Sequence, residues 1–239
     1  MQNHNPSNRR KARKECVVLF SGGRDSSLTC VLLARENFYV HPLTFDNGAY
    51  KGIQGVTLRH KEIKKLYPKY IKKSEIIPSN GYFKDVVLKP LAKDFQKYKV
   101  NLICVGDKLV MHTLAAIYCL EKRIGTLADG YSGYQRHWSE QTPEAIKILK
   151  EFHKHYGIEY INPVYVFMNK EDVLKRLLEM GLTTKSYEPE CLFAACTDNA
   201  HPSIVTEYIS QKLTDCSNII TTYFGEENLR NLVRERIIS

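Results

Sequence analysis

Residues 16–30, Cys-Val-Val-Leu-Phe-Ser-Gly-Gly-Arg-Asp-Ser-Ser-Leu-Thr-Cys, read as strand, turn and helix in immediate succession. Val17 to Phe20 form the short apolar run of a buried parallel strand, and Leu28, Val31, Leu32 and Leu33 then recur at helical spacing. The polar segment between them lies where a strand ends and a helix begins. Gly22 and Gly23 let the backbone approach a ligand closely, and the free N–H groups at the helix start favour an anion there. Asp25, Ser26 and Ser27 suit the N-cap, and the hydroxyls of Ser21, Ser26 and Ser27 add donors for phosphate oxygens. A capped turn without a ligand would explain the glycine pair, but it does not require the whole Ser-Gly-Gly-x-Asp-Ser string.

That string, Ser21-Gly22-Gly23-Arg24-Asp25-Ser26, resembles the pyrophosphate-binding loop of the PP-loop ATP pyrophosphatases. Those enzymes cleave ATP between the α and β phosphates and form an adenylylated intermediate. No Gly-x4-Gly-Lys-Ser/Thr string of the Walker type occurs in the chain. The resemblance implies ATP and Mg2+ as cofactors. Ser21, Gly22, Gly23, Asp25 and Ser26 would hold the leaving pyrophosphate, Asp25 would help place the magnesium, and Arg24 fills the variable position.

The 239 residues suffice for one sizeable α/β domain, and 43% hydrophobic with 26% charged residues is the balance of a soluble globular chain. No apolar run reads as a membrane span and the basic start does not read as a signal peptide, so a cytoplasmic protein with no membrane partner is expected. Seven cysteines at irregular spacing beside a nucleotide loop predict reduced thiols. Residues 1–14 carry five cations and no acid, more than half of the net charge of +9. This predicts a disordered arm, able to touch RNA phosphates or serving only as a solubilising tail.

Further along, Tyr39 to Phe45 alternates as a second strand ending at Asp46-Asn47-Gly48, and Tyr70 to Ile77 reads as a third. Residues 82–97 read as an amphipathic helix kinked at Pro90. Asn101 to Val105 reads as a fourth strand, followed by the polar Asp107-Lys108 and an apolar helix over Val110 to Leu120. Thr126 to Ala128 reads as a fifth strand, ending in the loop Asp129-Gly130-Tyr131-Ser132-Gly133-Tyr134. Polar loops collected at the carboxyl ends of parallel strands mark the ligand edge of an open α/β sheet. Thr142 caps a helix over 143–156, a strand-like piece surrounds Pro163, and Asn169 caps a helix ending at Gly181. The fold class is thus α/β: a doubly wound, mostly parallel five-stranded sheet over 15–182. The tail, 183–239, is a Cys-containing loop with two helices, about 200–214 and 225–237.

Leu43-Thr44-Phe45-Asp46, the Asp129 to Tyr134 loop, the Pro163 segment and Lys185-Ser186-Tyr187 before Cys191 together resemble 7-cyano-7-deazaguanine synthase. The resemblance implies an adenine nucleotide alpha hydrolase-like fold and an adenylylating ligase of queuosine biosynthesis acting on a small deazapurine carboxylate. Thr44, Phe45, Asp46, Asp129 and Gly130 would border the nucleotide. Those synthases hold zinc on four cysteines; here Cys191, Cys196, His201 and Cys216 are the nearest set, and their spacing is irregular. The aromatic residue and Arg-His pair that usually follow the aspartate are replaced by Asn47-Gly48. The chain also resembles tRNA thiouridylases, in which a cysteine near the fourth strand and a second far downstream carry and resolve a persulfide. Cys104-Val105-Gly106-Asp107 and Glu190-Cys191 occupy those places, with tRNA as partner. Asp25, Ser26, Asp107, Lys108 and Cys191 are the catalytic candidates, and Lys108 and Arg136 the candidates for extra positive charge. Trp138 and the tyrosines before it could stack on a base or cover a core edge. A nucleotide-binding protein without turnover would keep the loop alone, and a homodimer is compatible with every reading.

Overall fold

The computed structural model describes residues 13–193 and 199–238. Strand β1, Glu15–Leu19, leads through the glycine loop into helix α1, Arg24–Arg35, as the opening stretch predicts. β2, Tyr39–Asp46, pairs parallel to β1 with Val17 opposite His41 and Leu19 opposite Leu43. A two-residue strand β3, Tyr50–Lys51, then precedes α2, Gly55–Leu66, and β4, Glu75–Pro78. The sheet is completed by β5, Thr126–Ala128, and β6, Glu159–Ile161, in the order β4-β2-β1-β5-β6, with every pairing parallel.

Alternation along β1 divides the core. Cys16, Val18 and Phe20 face a layer that includes Leu28 and Val31 of α1 and Val173 and Leu177 of α7, Lys170–Glu179. Val17 faces the opposite layer, built on α5, Ile103–Lys122, and α6, Pro143–His155. Helix α8, Pro202–Phe224, belongs to that second layer, contributing Val205, Tyr208, Ile209, Cys216 and Ile220 to the same core. Helix α9, Glu226–Ile238, follows, with Arg236 donating to the Cys119 carbonyl oxygen at 3.1 Å.

Several expectations are corrected. Residues 101–105 are not a strand: the side-chain oxygen of Asn101 accepts from the Ile103 N–H at 3.0 Å, and the chain enters α5 there. A short apolar run fits a buried helix as well as a strand, and here it is the start of a 20-residue helix. That helix has the length and hydropathy of a membrane span, contrary to the sequence reading, and 89% of its apolar window is buried within the protein. The fifth sheet strand is instead β6, immediately before Pro163. Only Glu75–Pro78 of the third predicted strand joins the sheet as a strand, Ile71 making a single bridge to Val40. Residues 80–98 are broken into α3, Asn80–Phe83, a π-helical turn over Lys84–Leu88 and α4, Leu91–Tyr98, with Pro90 at the break. The wider π turn is one way a chain accommodates a proline that cannot donate to the helical ladder. Of the arm predicted over 1–14, residues 1–12 lie outside the described residues.

Candidate active site

The carboxyl ends of β1, β2 and β5 open onto a cleft of about 390 Å³. Its rim at the start of α1 is the predicted loop. Ser21 Oγ accepts from Gly23 N at 3.2 Å and meets Ser26 Oγ at 3.2 Å, while Ser26 Oγ accepts from Ser21 N at 3.3 Å. These contacts fold the loop onto itself, and Ser21, Gly23, Asp25 and Ser26 line the cleft. Gly22 has φ +74°, a left-handed conformation, and a Cβ there would lie 3.1 Å from Val56 Cα. Gly130 is held still closer: a Cβ would stand 2.5 Å from the backbone N of Ser26. The Asp129-Gly130 turn is thus the wall against which the loop is pressed. Gly130→Ala should therefore displace the loop, destabilise the fold by about 1–3 kcal/mol and weaken nucleotide binding by an order of magnitude or more. Thermal melting and a fluorescent-nucleotide titration read both effects; an unchanged titration contradicts this role for the wall.

Asp25 accepts from Tyr134 OH at 2.9 Å through Oδ2, and its Oδ1 is buried with no hydrogen-bond partner among the described residues. Burial pushes its carboxyl up to about 6, with Glu188 nearby adding to the rise. Glu188 overhangs the loop, its Oε2 lying 2.9 Å from where a Cβ on Gly23 would be. It is carried there by a strap, residues 183–189, that long-range contacts hold down. Arg59, fully buried, donates to the Thr183 carbonyl oxygen at 3.1 Å and to that of Lys185. Arg24 Nε donates to the Thr184 carbonyl oxygen at 2.6 Å, and Tyr187 N to that of Gly22 at 3.1 Å. The strap ends in β7, Glu190–Cys191, which pairs antiparallel to β3 with Tyr50 opposite Cys191.

Helix α5 supplies the far wall. Because residues 104–111 are helical, Cys104, Asp107, Lys108 and Met111 fall on one face, and all four line the cleft. Asp107 accepts from Tyr50 OH at 2.6 Å. Burial raises its carboxyl above the usual range, against the lowering effect of Tyr50 and Lys108. Glu140, in the 3-10 turn Ser139–Gln141, is likewise raised by burial. Cys104 is disulfide-bonded, which corrects the expectation of uniformly reduced thiols. Its partner is not Cys191, a free thiol on the same cleft whose pKa is raised by burial.

The cleft thus unites Ser21, Gly23, Asp25, Ser26, Thr44, Phe45, Cys104, Asp107, Lys108, Asp129, Gly130 and Cys191. Other predicted residues act from outside it. Ser27 Oγ donates to the Gly23 carbonyl oxygen at 2.5 Å, and Arg24 is committed to the strap. Asp46 accepts from Gly48 N at 2.9 Å to form its turn. Asp129 lines the cleft with its carboxylate engaged by Tyr131 N and Asn162 Nδ2, each at 2.9 Å, and by Tyr160 OH. It shapes the wall instead of offering an oxygen to a ligand. Arg136 is exposed and is not among the lining residues.

The zinc set does not assemble. His201 caps α8, meeting Ser203 Oγ at 2.8 Å, while Cys216 is buried farther along the same helix. Fifteen residues of helix separate them by about 22 Å. Cys196 lies outside the described residues, and no three His, Cys, Asp or Glu groups among the described residues are placed to share a metal. Tyr50, Glu140 and Glu188 are cleft residues that sequence reasoning missed, and none belongs to a recognisable string. Tyr134, quoted only as the end of the Asp129 to Tyr134 loop, is not a lining residue and reaches the site through its hydrogen bond to Asp25.

Solved structures of other proteins resemble this fold. A 4-thiouridine synthetase in complex with RNA and bound ATP matches at 19% identity and TM-score 0.62, over 95% of this chain and 54% of that one. This chain therefore spans about half the length of that protein. The U34-tRNA thiolase NcsA from Methanococcus maripaludis, solved with its [4Fe-4S] cluster, matches at 16% identity and TM-score 0.52, over 95% and 72%. At such identities the likeness establishes the fold, the adenine nucleotide alpha hydrolase-like sheet. A cluster of that kind takes three or four thiolates. Among the described residues the cleft offers Cys104 and Cys191, the first already in a disulfide, so no step is derived through such a group. The family described as "Thiamine biosynthesis protein (ThiI)" matches residues 12–215, most of the chain, and with the PP-loop and its cleft in place this protein belongs to the ThiI family, as an enzyme of the PP-loop ATP pyrophosphatase class.

Proposed function

We propose that the protein activates a carbonyl oxygen of a tRNA base by adenylylation and directs sulfur onto the activated carbon. The observation that carries this reading is the placement of Cys104 and Cys191 on the same cleft as the pyrophosphate loop. A ligase that used ammonia would have no need of either thiol. The thiolase and thiouridine synthetase neighbours support the same reading.

ATP lies with its β and γ phosphates on the Ser21–Ser26 loop, where N–H groups, hydroxyls and the start of α1 take up the charge of the leaving pyrophosphate. Asp25 and Glu188 would hold the Mg2+ that accompanies the nucleotide, a cation that draws most of its ligands from phosphates and water. It would supply Lewis-acid neutralisation of the departing charge. Phe45 and Thr44 border the nucleotide. The acceptor oxygen attacks the α phosphorus and the bond to the bridging oxygen of the β phosphate breaks. Once an external thiol has reduced the disulfide that holds Cys104, a persulfide on one cysteine, charged by a sulfane-sulfur donor, attacks the activated carbon, and AMP departs. The thiol of the other cysteine breaks the S–S bond. The base is left as its thiocarbonyl, and the two cysteines as a disulfide that an external thiol must reduce.

A deazapurine carboxylate remains the second reading, resting on the Asp129 to Tyr134 loop. It is less well supported because the acceptor end of the cleft is lined by Asp107 and Glu140, with Lys108 as the one cation among the lining residues. An anionic acceptor would meet repulsion there. The test is AMP and pyrophosphate formation from MgATP with unmodified tRNA and, in parallel, with 7-carboxy-7-deazaguanine. Stimulation by tRNA alone is expected; stimulation by the deazapurine alone overturns the proposal.

The titration of Asp25 gives a further expectation. Its carboxyl titrates at about 6, so the ionised form that a cation needs is lost as the pH falls through that value. Apparent MgATP affinity at limiting magnesium should fall about tenfold between pH 7.5 and 5, and the Asp25→Asn variant should be flat over the same range. An equal pH dependence in the variant would assign the effect to another group.

A further inference from the structure

Three groups that line the acceptor side of the cleft, Asp107, Tyr131 and Glu140, carry a buried polar atom with no hydrogen-bond partner among the described residues, and Asp107 is already engaged through its other oxygen by Tyr50. Glu140 is 7% exposed and its Oε2 has no hydrogen-bond partner among the described residues; Tyr131 is 4% exposed and its OH has none among them. Both residues line the cleft, and their chain neighbours Ser132 and Gln141 are joined by a hydrogen bond of 3.0 Å, which brings the two segments together. Buried polar atoms without partners are uncommon, because each forfeits the hydrogen bonds it had in water. Their placement is not loose. Ser139 Oγ accepts from Ala200 N at 2.9 Å, Gln141 Oε1 accepts from Ser132 N at 3.0 Å, and Tyr165 OH donates to the Gln141 carbonyl oxygen at 3.0 Å. These bonds fix the turn that carries Glu140 against the loop that carries Tyr131.

We propose that Glu140 and Tyr131 read the imide edge of a uracil-type base, Glu140 accepting the ring N–H and Tyr131 donating to one flanking carbonyl. The assignment rests on the thiolation reading above and names the acceptor and the residues that select it. A carboxylate beside a phenol offers an acceptor next to a donor, the complement of an N–H next to a C=O. A uracil ring has a second carbonyl on the other side of the same N–H, which leaves one oxygen free to attack the α phosphorus. Met111 and Trp138 line the same cleft and provide apolar and aromatic surface for the ring.

Glu140 then also serves the chemistry. As the carbonyl oxygen bonds to the α phosphorus and pyrophosphate leaves, the ring N–H proton passes to Glu140, giving a neutral imidate ester. When sulfur displaces AMP, the proton returns to the ring nitrogen and the thiocarbonyl forms. Burial raises the affinity of Glu140 for a proton and so suits it to this transfer.

The test measures tRNA-dependent AMP formation by the wild type and by Glu140→Gln, Glu140→Ala and Tyr131→Phe, with MgATP affinity and melting temperature as controls for folding. A second substrate is a tRNA transcript with 3-methyluridine at the modified position, which lacks the ring N–H. Glu140→Gln is expected to lower turnover about 10²-fold or more, and to remove the acidic limb of its pH profile, with MgATP affinity within twofold of wild type. Tyr131→Phe should cost about tenfold, and the methylated transcript should be inert. Turnover of Glu140→Gln within threefold of wild type, or equal use of the methylated transcript, overturns this assignment while leaving the thiolation reading standing. A wild type that no tRNA stimulates overturns both.

Discussion

Asp25→Asn is expected to lower ATP-dependent AMP and pyrophosphate formation by about 10²–10³-fold or more, with the protein still folded. The asparagine oxygen can keep the hydrogen bond from Tyr134, so the geometry of the loop survives. What disappears is the charge. In the native protein that charge is costly, because Asp25 is buried deeply enough that its carboxyl is pushed up to about 6. Above that pH the folded state holds an ionised carboxylate that the unfolded chain would solvate better. The asparagine variant should therefore melt at the same temperature as the wild type or slightly higher at pH 7.5. A site that retains a destabilising charge needs a use for it, and the cation accompanying pyrophosphate is that use. Variant activity close to wild type, measured by pyrophosphate release, would remove the loop from the chemistry.

The second large effect separates the two half-reactions. Cys191→Ser and Cys104→Ser should each reduce sulfur incorporation into tRNA by about 10³-fold or more, because a hydroxyl cannot carry or resolve a persulfide. AMP and pyrophosphate formation should stay within a few-fold of wild type, since neither thiol touches the departing pyrophosphate in this account. The thiol of Cys191 is disfavoured as a thiolate by its burial, so Lys108, which lowers its pKa, contributes to readiness. The measurement is single-turnover sulfur transfer from a labelled sulfane donor, run beside an AMP assay. Loss of both activities together would mean that the cysteines shape the cleft and do not perform the second step.

The fold was legible where a local string carries its own chemistry. Ser21 to Ser26 combine small, capping and hydroxyl residues in the order a strand-to-helix anion site requires, and the structure places them there. Thr142 and Asn169 cap their helices, accepting from Ala145 N at 3.2 Å and Asp172 N at 2.9 Å. The apolar run Leu102–Cys104 was not legible, because periodicity over three residues does not separate strand from helix. The misreading mattered, since the helical spacing is what turns Cys104, Asp107 and Lys108 toward one cleft. Nor could the strap be seen: Arg59 finds Thr183 and Lys185 more than 120 positions away, and nothing in either segment names the other. Glu188 and Cys191 reach the cleft through those contacts together with the Arg24–Thr184 and Tyr187–Gly22 bonds and the pairing of β7 with β3. The cysteine tail misled for a related reason. Closeness in sequence suggested a shared metal, while α8 carries Cys216 away from His201 into the core beside α5.

The most direct test of the central claim is nucleoside mass spectrometry of unmodified tRNA after incubation with the protein, MgATP, a sulfane-sulfur donor and a thiol reductant. The account predicts a uridine heavier by the exchange of one oxygen for sulfur, formed in step with AMP and absent when ATP is omitted or Asp25 is replaced. AMP formed with tRNA but no thionucleoside, under conditions where Cys191 is demonstrably persulfidated, would contradict it.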